Sequence, residues 1–211
     1  MAQLKELYDA ILNGNAKQAH ALTEAALGSG TDPMELISES MVPAMDEVGR
    51  LYEAEEYFVP ELLLAGRAMK SAMELLRPRL VATGQRLTVR VVIGTVKGDL
   101  HDIGKNIVAS MLEGSGFEVI DLGTDVSPES FVAAVQERQP QIVCMSALLT
   151  VTMPSMRSTI EALDKAGLRG KVKVMIGGAP VTSQYAQEIG ADGYSENASG
   201  AVSLVKTLLA A

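Results

Sequence analysis

Apolar residues recur at helical spacing through the first 77 residues, and in short β-branched runs beyond residue 87. Leu4, Leu7, Tyr8, Ile11 and Leu12 share one helical face, and Asn13-Gly14-Asn15 ends that run. A second helix fits Ala16 to Leu27 and closes at Gly28-Ser29-Gly30. Thr31-Asp32-Pro33 reads as a helix start, with a capping side chain ahead of a first-turn proline. Met34, Ile37, Met41, Met45, Val48 and Tyr52 then mark one apolar face, with Pro43 inside the run predicting a kink. A fourth helix from near Pro60 carries Leu62, Ala65, Met69, Met73 and Leu76 on one face. Four antiparallel helices of this length make a small bundle.

The periodicity breaks at Arg77-Pro78-Arg79 and Thr83-Gly84-Gln85-Arg86, so 78–87 is predicted as a linker between a helical unit (1–77) and a second unit (88–211). In the second unit, strands are predicted at Thr88–Ile93, Phe117–Ile120, Gln141–Ser146, Lys171–Ile176 and Gly193–Tyr194. Helices fit 104–114, 128–138, 154–167, 181–189 and 198–210. Such alternation implies a five-stranded parallel sheet covered on both faces, in the flavodoxin-like (Rossmann-like) doubly wound order. Ligands of these sheets bind beyond the carboxyl ends of the strands. The loops after Ile93, Ile120, Ser146 and Ile176 are therefore the places where chemistry is expected.

Composition narrows the function classes. The 211 residues are 47% apolar and 21% charged, an ordinary balance for a globular chain. Lys and Arg number 18 against 26 Asp and Glu, a net charge of −8 that disfavours nucleic acid and anionic membrane as partners. The single Cys144 fits a reducing compartment. With no basic-then-apolar leader and no long apolar run, the expectation is a cytoplasmic protein. Aromatics are 4% with no Trp, which argues against a site built on stacking.

The first sheet loop reads Gly94-Thr95-Val96-Lys97-Gly98-Asp99-Leu100-His101-Asp102-Ile103-Gly104. Of the two histidines in the chain, His20 falls on a predicted helix as an ordinary bundle residue. His101 lies in the ligand-binding loop, with Asp99 two residues before it. Imidazole is the commonest metal ligand, and a ligating His usually donates its other ring proton to a carboxylate. The same residues also fit a His and an Asp (Asp99 or Asp102) capping the helix that follows, and taken alone they leave both readings open.

The loop after the third strand reads Ser146-Ala147-Leu148-Leu149-Thr150-Val151-Thr152, and the fourth strand ends in Gly177-Gly178. Here the chain resembles the cobalamin-binding domains of corrinoid methyltransferases and carbon-skeleton mutases. Their fingerprint is Asp-x-His-x-x-Gly, then Ser-x-Leu, then Gly-Gly. In this chain 41 residues (105–145) separate the first two elements and 28 (149–176) the last two. Each element stands at the end of a predicted strand, and the resemblance covers essentially the whole chain.

The resemblance implies a cobalamin or related corrinoid, bound with its own lower base displaced and His101 as the lower ligand of cobalt (base-off, His-on), with methylcobalamin formed in turnover. His101, Asp99 and Thr152 would form the hydrogen-bonded chain behind the metal. Thr152 stands where methionine synthase has a serine. Further contacts implied from the first loop are Gly98, Asp102, Ile103 and Gly104. Ser146, Leu148 and Thr150 follow from the third-strand loop. Gly177 and Gly178 would line the pocket of the nucleotide tail. The helical bundle is similar to the cap of methyltransferase-type corrinoid proteins, and Tyr52 and Val59 stand where cap residues shield the methyl group.

A receiver domain would need clustered acids where this chain has Gly94-Thr95 and Ser146-Ala147. A flavodoxin would need a hydroxyl-rich phosphate loop and aromatic walls. Two alternatives stay open: the cobalamin-binding subunit of a mutase, and a cobalamin-based sensor module. The cap favours a methyl carrier over the first, and the few residues ahead of the bundle disfavour the second. A chain of this length holds no catalytic barrel. The expectation is a carrier subunit, not a complete enzyme, serving a donor-specific methyltransferase, an acceptor methyltransferase (tetrahydrofolate or thiol) and a reductive activation protein. The loading partner selects the methyl donor.

Overall fold

A computed structural model describes residues 2–82 and 89–210, as two compact units. The helical unit contains α1 (Ala2–Leu12), α2 (Ala16–Gly28), α3 (Pro33–Leu36), α4 (Val42–Glu53) and α5 (Val59–Ala82). Ser110–Phe117 groups with these helices, while Val89–Ala109 and Glu118–Ala211 form the other unit. The predicted starts rest on real caps. Asn15 accepts the Gln18 N–H at 3.1 Å, and Asp32 accepts that of Met34 at 3.0 Å, with Pro33 in the first turn. The predicted faces are the bundle core: Leu7, Ile11, Met41, Met45, Val48, Leu62, Met69 and Leu76 are all essentially inaccessible.

Pro43 does not break its helix. The preceding residues Ile37–Met41 widen into a π turn, in which the Val42 N–H reaches back to the Ile37 carbonyl. The expected break at Arg77-Pro78-Arg79 is likewise absent, since α5 runs on to Ala82 with Pro78 inside it. Leu80, one turn after Leu76, is buried, and that anchor carries the helix past the proline. Residues 78–82 of the expected linker are therefore helical, and 83–87 lie outside the described residues.

The second unit is a parallel sheet of β1 (Arg90–Thr95), β2 (Glu118–Asp121), β3 (Ile142–Ser146), β4 (Lys173–Gly177) and β5 (Gly193–Tyr194). Its order is β2-β1-β3-β4-β5, as the strand–helix alternation predicts. The connecting helices are α6 (Ile103–Gly114), α7 (Pro128–Arg138), α8 (Pro154–Lys165) and α9 (Ser183–Ile189), and α10 (Ala198–Ala210) follows β5. Val92, Val143, Val174 and Ile176 of the sheet pack with Phe131, Met156 and Leu163 of the helices in one apolar core. The order reverses between β1 and β3, whose ends lie in register, Thr95 opposite Ser146. That switch point brings the loops carrying His101 and Thr152 side by side.

Candidate functional site

β1 delivers the chain into its loop through a buried turn. The Thr95 hydroxyl donates to the His101 carbonyl at 2.8 Å, closing the loop on itself. Between them Asp99 is wholly buried, which is tolerable for a carboxylate only if its lone pairs are met. They are met completely. Oδ1 accepts the His101 backbone N–H at 3.1 Å and stands 2.8 Å from His101 Nδ1. Oδ2 accepts the N–H groups of Leu148 (2.8 Å) and Leu149 (3.2 Å) and the Thr152 hydroxyl (2.7 Å). That hydroxyl also lies 2.8 Å from the Leu149 carbonyl, so its one proton faces two acceptors.

Burial is the largest single influence on Asp99, and it opposes ionisation. The donors from Thr152, Leu148 and His101 together outweigh it and hold the carboxyl well below the usual carboxylate range. An ionised Asp99 beside Nδ1 keeps the proton on that nitrogen and leaves the lone pair on Nε2. The His101 side chain is half exposed, so the free nitrogen belongs to a ring that a ligand can reach.

Around His101 stand apolar side chains in water. Leu100, Ile103 and Val151 are 73%, 78% and 81% exposed, and Leu148 and Leu149 are also exposed. Covering each such side chain is worth roughly 1.5–3 kcal/mol, so this rim is adapted to a large apolar face. Among the described residues, no group of three His, Cys, Asp or Glu is arranged to hold a metal ion. One imidazole is a poor cage, and a metal at His101 would have to arrive already chelated. A donor set of one nitrogen inside an apolar rim fits a corrinoid, which brings its own macrocycle around cobalt.

The glycines divide into two kinds. Gly178 has φ +126°, and a Cβ there would stand 1.9 Å from the Ala147 carbonyl oxygen; at Gly177 it would stand 3.0 Å from that of Ser195. These two hold β4 against its neighbours. Gly104, in the first turn of α6, has open space where a Cβ would go. Nothing in the described chain requires glycine there, as a passage kept clear for a ligand does.

The sheet unit thus brings together Gly98, Asp99, His101, Asp102, Ile103, Gly104, Ser146, Leu148, Thr150, Thr152, Gly177 and Gly178 at the carboxyl ends of β1, β3 and β4. Asp102 precedes α6; its carboxylate receives the Asn106 side-chain amide at 3.1 Å and its carbonyl the Asn106 N–H at 2.7 Å. Ser146 is half buried at the end of β3, and Thr150 is exposed. Tyr52 and Val59 belong to the helical unit, half buried where α4 ends and α5 begins. Two contributors escaped the sequence reading. Thr95 pins the His101 carbonyl, and Asp125, in the loop after β2, accepts the Gly98 N–H at 2.8 Å. That loop was one of those expected to carry chemistry, but no motif singled out a residue in it.

Family models described as B12 binding domains match residues 89–203 and residues 3–77. The trimethylamine corrinoid protein 1 of Methanosarcina acetivorans is 44% identical over 203 residues, covering 95% of this chain and 94% of that one. The dimethylamine corrinoid protein 1 of the same organism is 43% identical over 208 residues, covering 98% and 97%. Among solved structures, the methanol:cobalamin methyltransferase complex MtaBC of Methanosarcina barkeri superposes with a TM-score of 0.87 at 31% identity, covering 99% of this chain and 80% of the matched one.

Proposed function

The chain belongs to the B12-binding family of corrinoid proteins, and from that premise we propose that it is the methyl-carrier subunit of a multi-component methyltransferase system. The observation that carries the reading is the buried Asp99, whose Oδ1 fixes His101 while Leu148, Leu149 and Thr152 hold its Oδ2, with Nε2 free inside an apolar rim. When bound, the corrinoid supplies a cobalt centre that accepts and releases a methyl group, with a demand for a lower ligand that changes with oxidation state.

His101 is the lower ligand in this reading, through Nε2, with the cofactor's own base displaced. Asp99 holds the ring in one tautomer and one orientation. His101 Nδ1 stands 2.8 Å from that ionised carboxylate, so Nε2 is the ring nitrogen that would hold the cobalt. Thr152 and the Leu148 and Leu149 amides supply the donors that keep Asp99 an anion. The exposed Leu100, Ile103, Leu148 and Val151 would pack against the corrinoid and exclude water from it. Gly104 and Ser146 would leave room for the nucleotide tail, and Gly177 and Gly178, packed against Ala147 and Ser195, would form the wall of its pocket. Tyr52 and Val59 of the helical unit would shield the methyl group. The partners are a donor-specific methyltransferase, an acceptor methyltransferase using tetrahydrofolate or a thiol, and a reductive activation protein. Among the described residues no helix is long and apolar enough to cross a membrane.

Methyl transfer to the loaded protein tests this function. The chain is reconstituted with cobalamin, reduced, and mixed in turn with methanol, mono-, di- and trimethylamine and their methyltransferases. Methylation, read in the visible spectrum with one donor, is the expected result. A loaded protein that no donor and partner methylates contradicts the carrier role.

A further inference from the structure

Asp125 stands in the loop after β2, outside every motif that points to His101. Its backbone is left-handed, with φ 54°, a conformation that Asp tolerates better than most side chains. There it grips the His101 loop at two adjacent points. Its carboxylate accepts the Gly98 N–H at 2.8 Å, and its own N–H donates to the Asp99 carbonyl at 2.9 Å. The next residue continues the clamp: Val126 donates to the Thr95 carbonyl at 2.9 Å and pairs with Val96 as a parallel bridge. The two peptides that flank the Gly98–Asp99 link, through the Gly98 N–H and the Asp99 carbonyl, are therefore held by one residue of another loop. Gly98, with φ +85°, is the swivel this grip restrains. The ion pair of Asp125 with Lys97 is exposed and adds little.

We propose that Asp125 is a positioning residue: by holding the Gly98 N–H and the Asp99 carbonyl on either side of that link it aims Asp99 at His101 Nδ1, and so sets how firmly His101 ligates the cobalt. The proposal rests on His101 as the lower ligand, and two readouts keep the two apart. The first needs no cofactor. The chain has two histidines, so labelling their ring nitrogens gives the His101 tautomer by NMR, with His20 as internal control. The second is the fraction of loaded cob(II)alamin protein with a histidine nitrogen on the metal, read by electron paramagnetic resonance.

Asp125→Gly keeps the left-handed backbone and removes the acceptor, whereas Asp125→Asn keeps both. In the apo-protein, D125G is expected to lose the single Nδ1–H tautomer while D125N retains it. In the loaded protein, D125G is expected to lower the ligated-to-unligated ratio about 3- to 10-fold, less than the roughly 10–100-fold that losing a ligand's direct partner costs. D125N and Lys97→Met are expected to match wild type. If D125G folds poorly, Asp125→Ser, whose shorter side chain cannot span to Gly98, carries the same expectation. A variant lacking the acceptor but with wild-type tautomer and ligation overturns the proposal. A disturbed tautomer with no histidine nitrogen on cobalt even in wild type overturns the ligand reading, and the assigned role with it.

Discussion

Asp99 is the residue on which the site turns, and its chemistry predicts a pH signature. The folded protein holds its proton affinity below that of the unfolded chain. The unfolded state therefore binds protons first as pH falls. The stabilisation is full above about pH 4 and is lost progressively below it. Asp99→Asn is expected to cost about 1.5–3 kcal/mol at neutral pH, because charged hydrogen bonds to two amides and a hydroxyl are weakened. The deficit should shrink as the wild type is acidified. Urea denaturation of both proteins across that range checks it, and a deficit independent of pH contradicts the assignment. The two kinds of glycine give opposite expectations. Gly178→Ala collides with the Ala147 carbonyl in a left-handed backbone and should fold poorly or not at all. Gly104→Ala meets open space inside a helix and should stabilise the apo-protein by roughly 0.8–1 kcal/mol. It should at the same time weaken cobalamin binding, a trade that a thermal melt and a binding titration read side by side.

At this scale legibility follows the reach of each interaction along the chain. Asp99 and His101 are two residues apart, so spacing offers the pair, and the fingerprint they belong to favours it over a helix cap. Thr152 was reached by counting along the loop after β3, because the residues around it carry a fingerprint. Asp125 was missed because its bonds to Gly98 and Asp99 span a loop with no fingerprint, and only the pairing of β1 with β2 brings them together. The amides of Leu148 and Leu149 were invisible for another reason, since a backbone donor leaves no mark on residue type.

Among the elements, caps and periodicity located the helices, and the exceptions are prolines. Pro43 and Pro78 are each helix breakers by propensity. Tertiary burial overrides both: Met41 and Met45 are buried on either side of Pro43, and Leu80 beyond Pro78. A widened turn in one case and an interrupted ladder in the other are cheaper than exposing those side chains. The turn between α4 and α5 carries the cap proposal. Glu55 is left-handed there, the Glu56 and Tyr57 N–H groups both return to the Leu51 carbonyl, and Glu61 accepts the Phe58 N–H at 3.0 Å. Tyr52 and Val59 flank a turn with its own fixed shape, so truncating both to Ala should leave it folded. In the methylated protein, the double variant is expected to lose the methyl ligand to light several-fold faster than wild type. Equal photolysis rates in two folded proteins would mean that these residues do not shield cobalt.

For the whole molecule, the central claim is that one imidazole from the switch point of the sheet replaces the cofactor's own base. The sheet order, the register of Thr95 against Ser146 and the burial of Asp99 all serve that single nitrogen. The most direct measurement uses protein grown on the heavy isotope of nitrogen and loaded with cob(II)alamin of natural isotope content. An axial nitrogen of natural nuclear spin splits each high-field resonance line into three, and one of spin one-half splits it into two. If His101 ligates, isotope labelling of the protein converts triplets to doublets, and His101→Ala abolishes the splitting from the protein. Triplets that persist unchanged in the labelled protein would mean that the cofactor keeps its own base on cobalt, and would contradict the account.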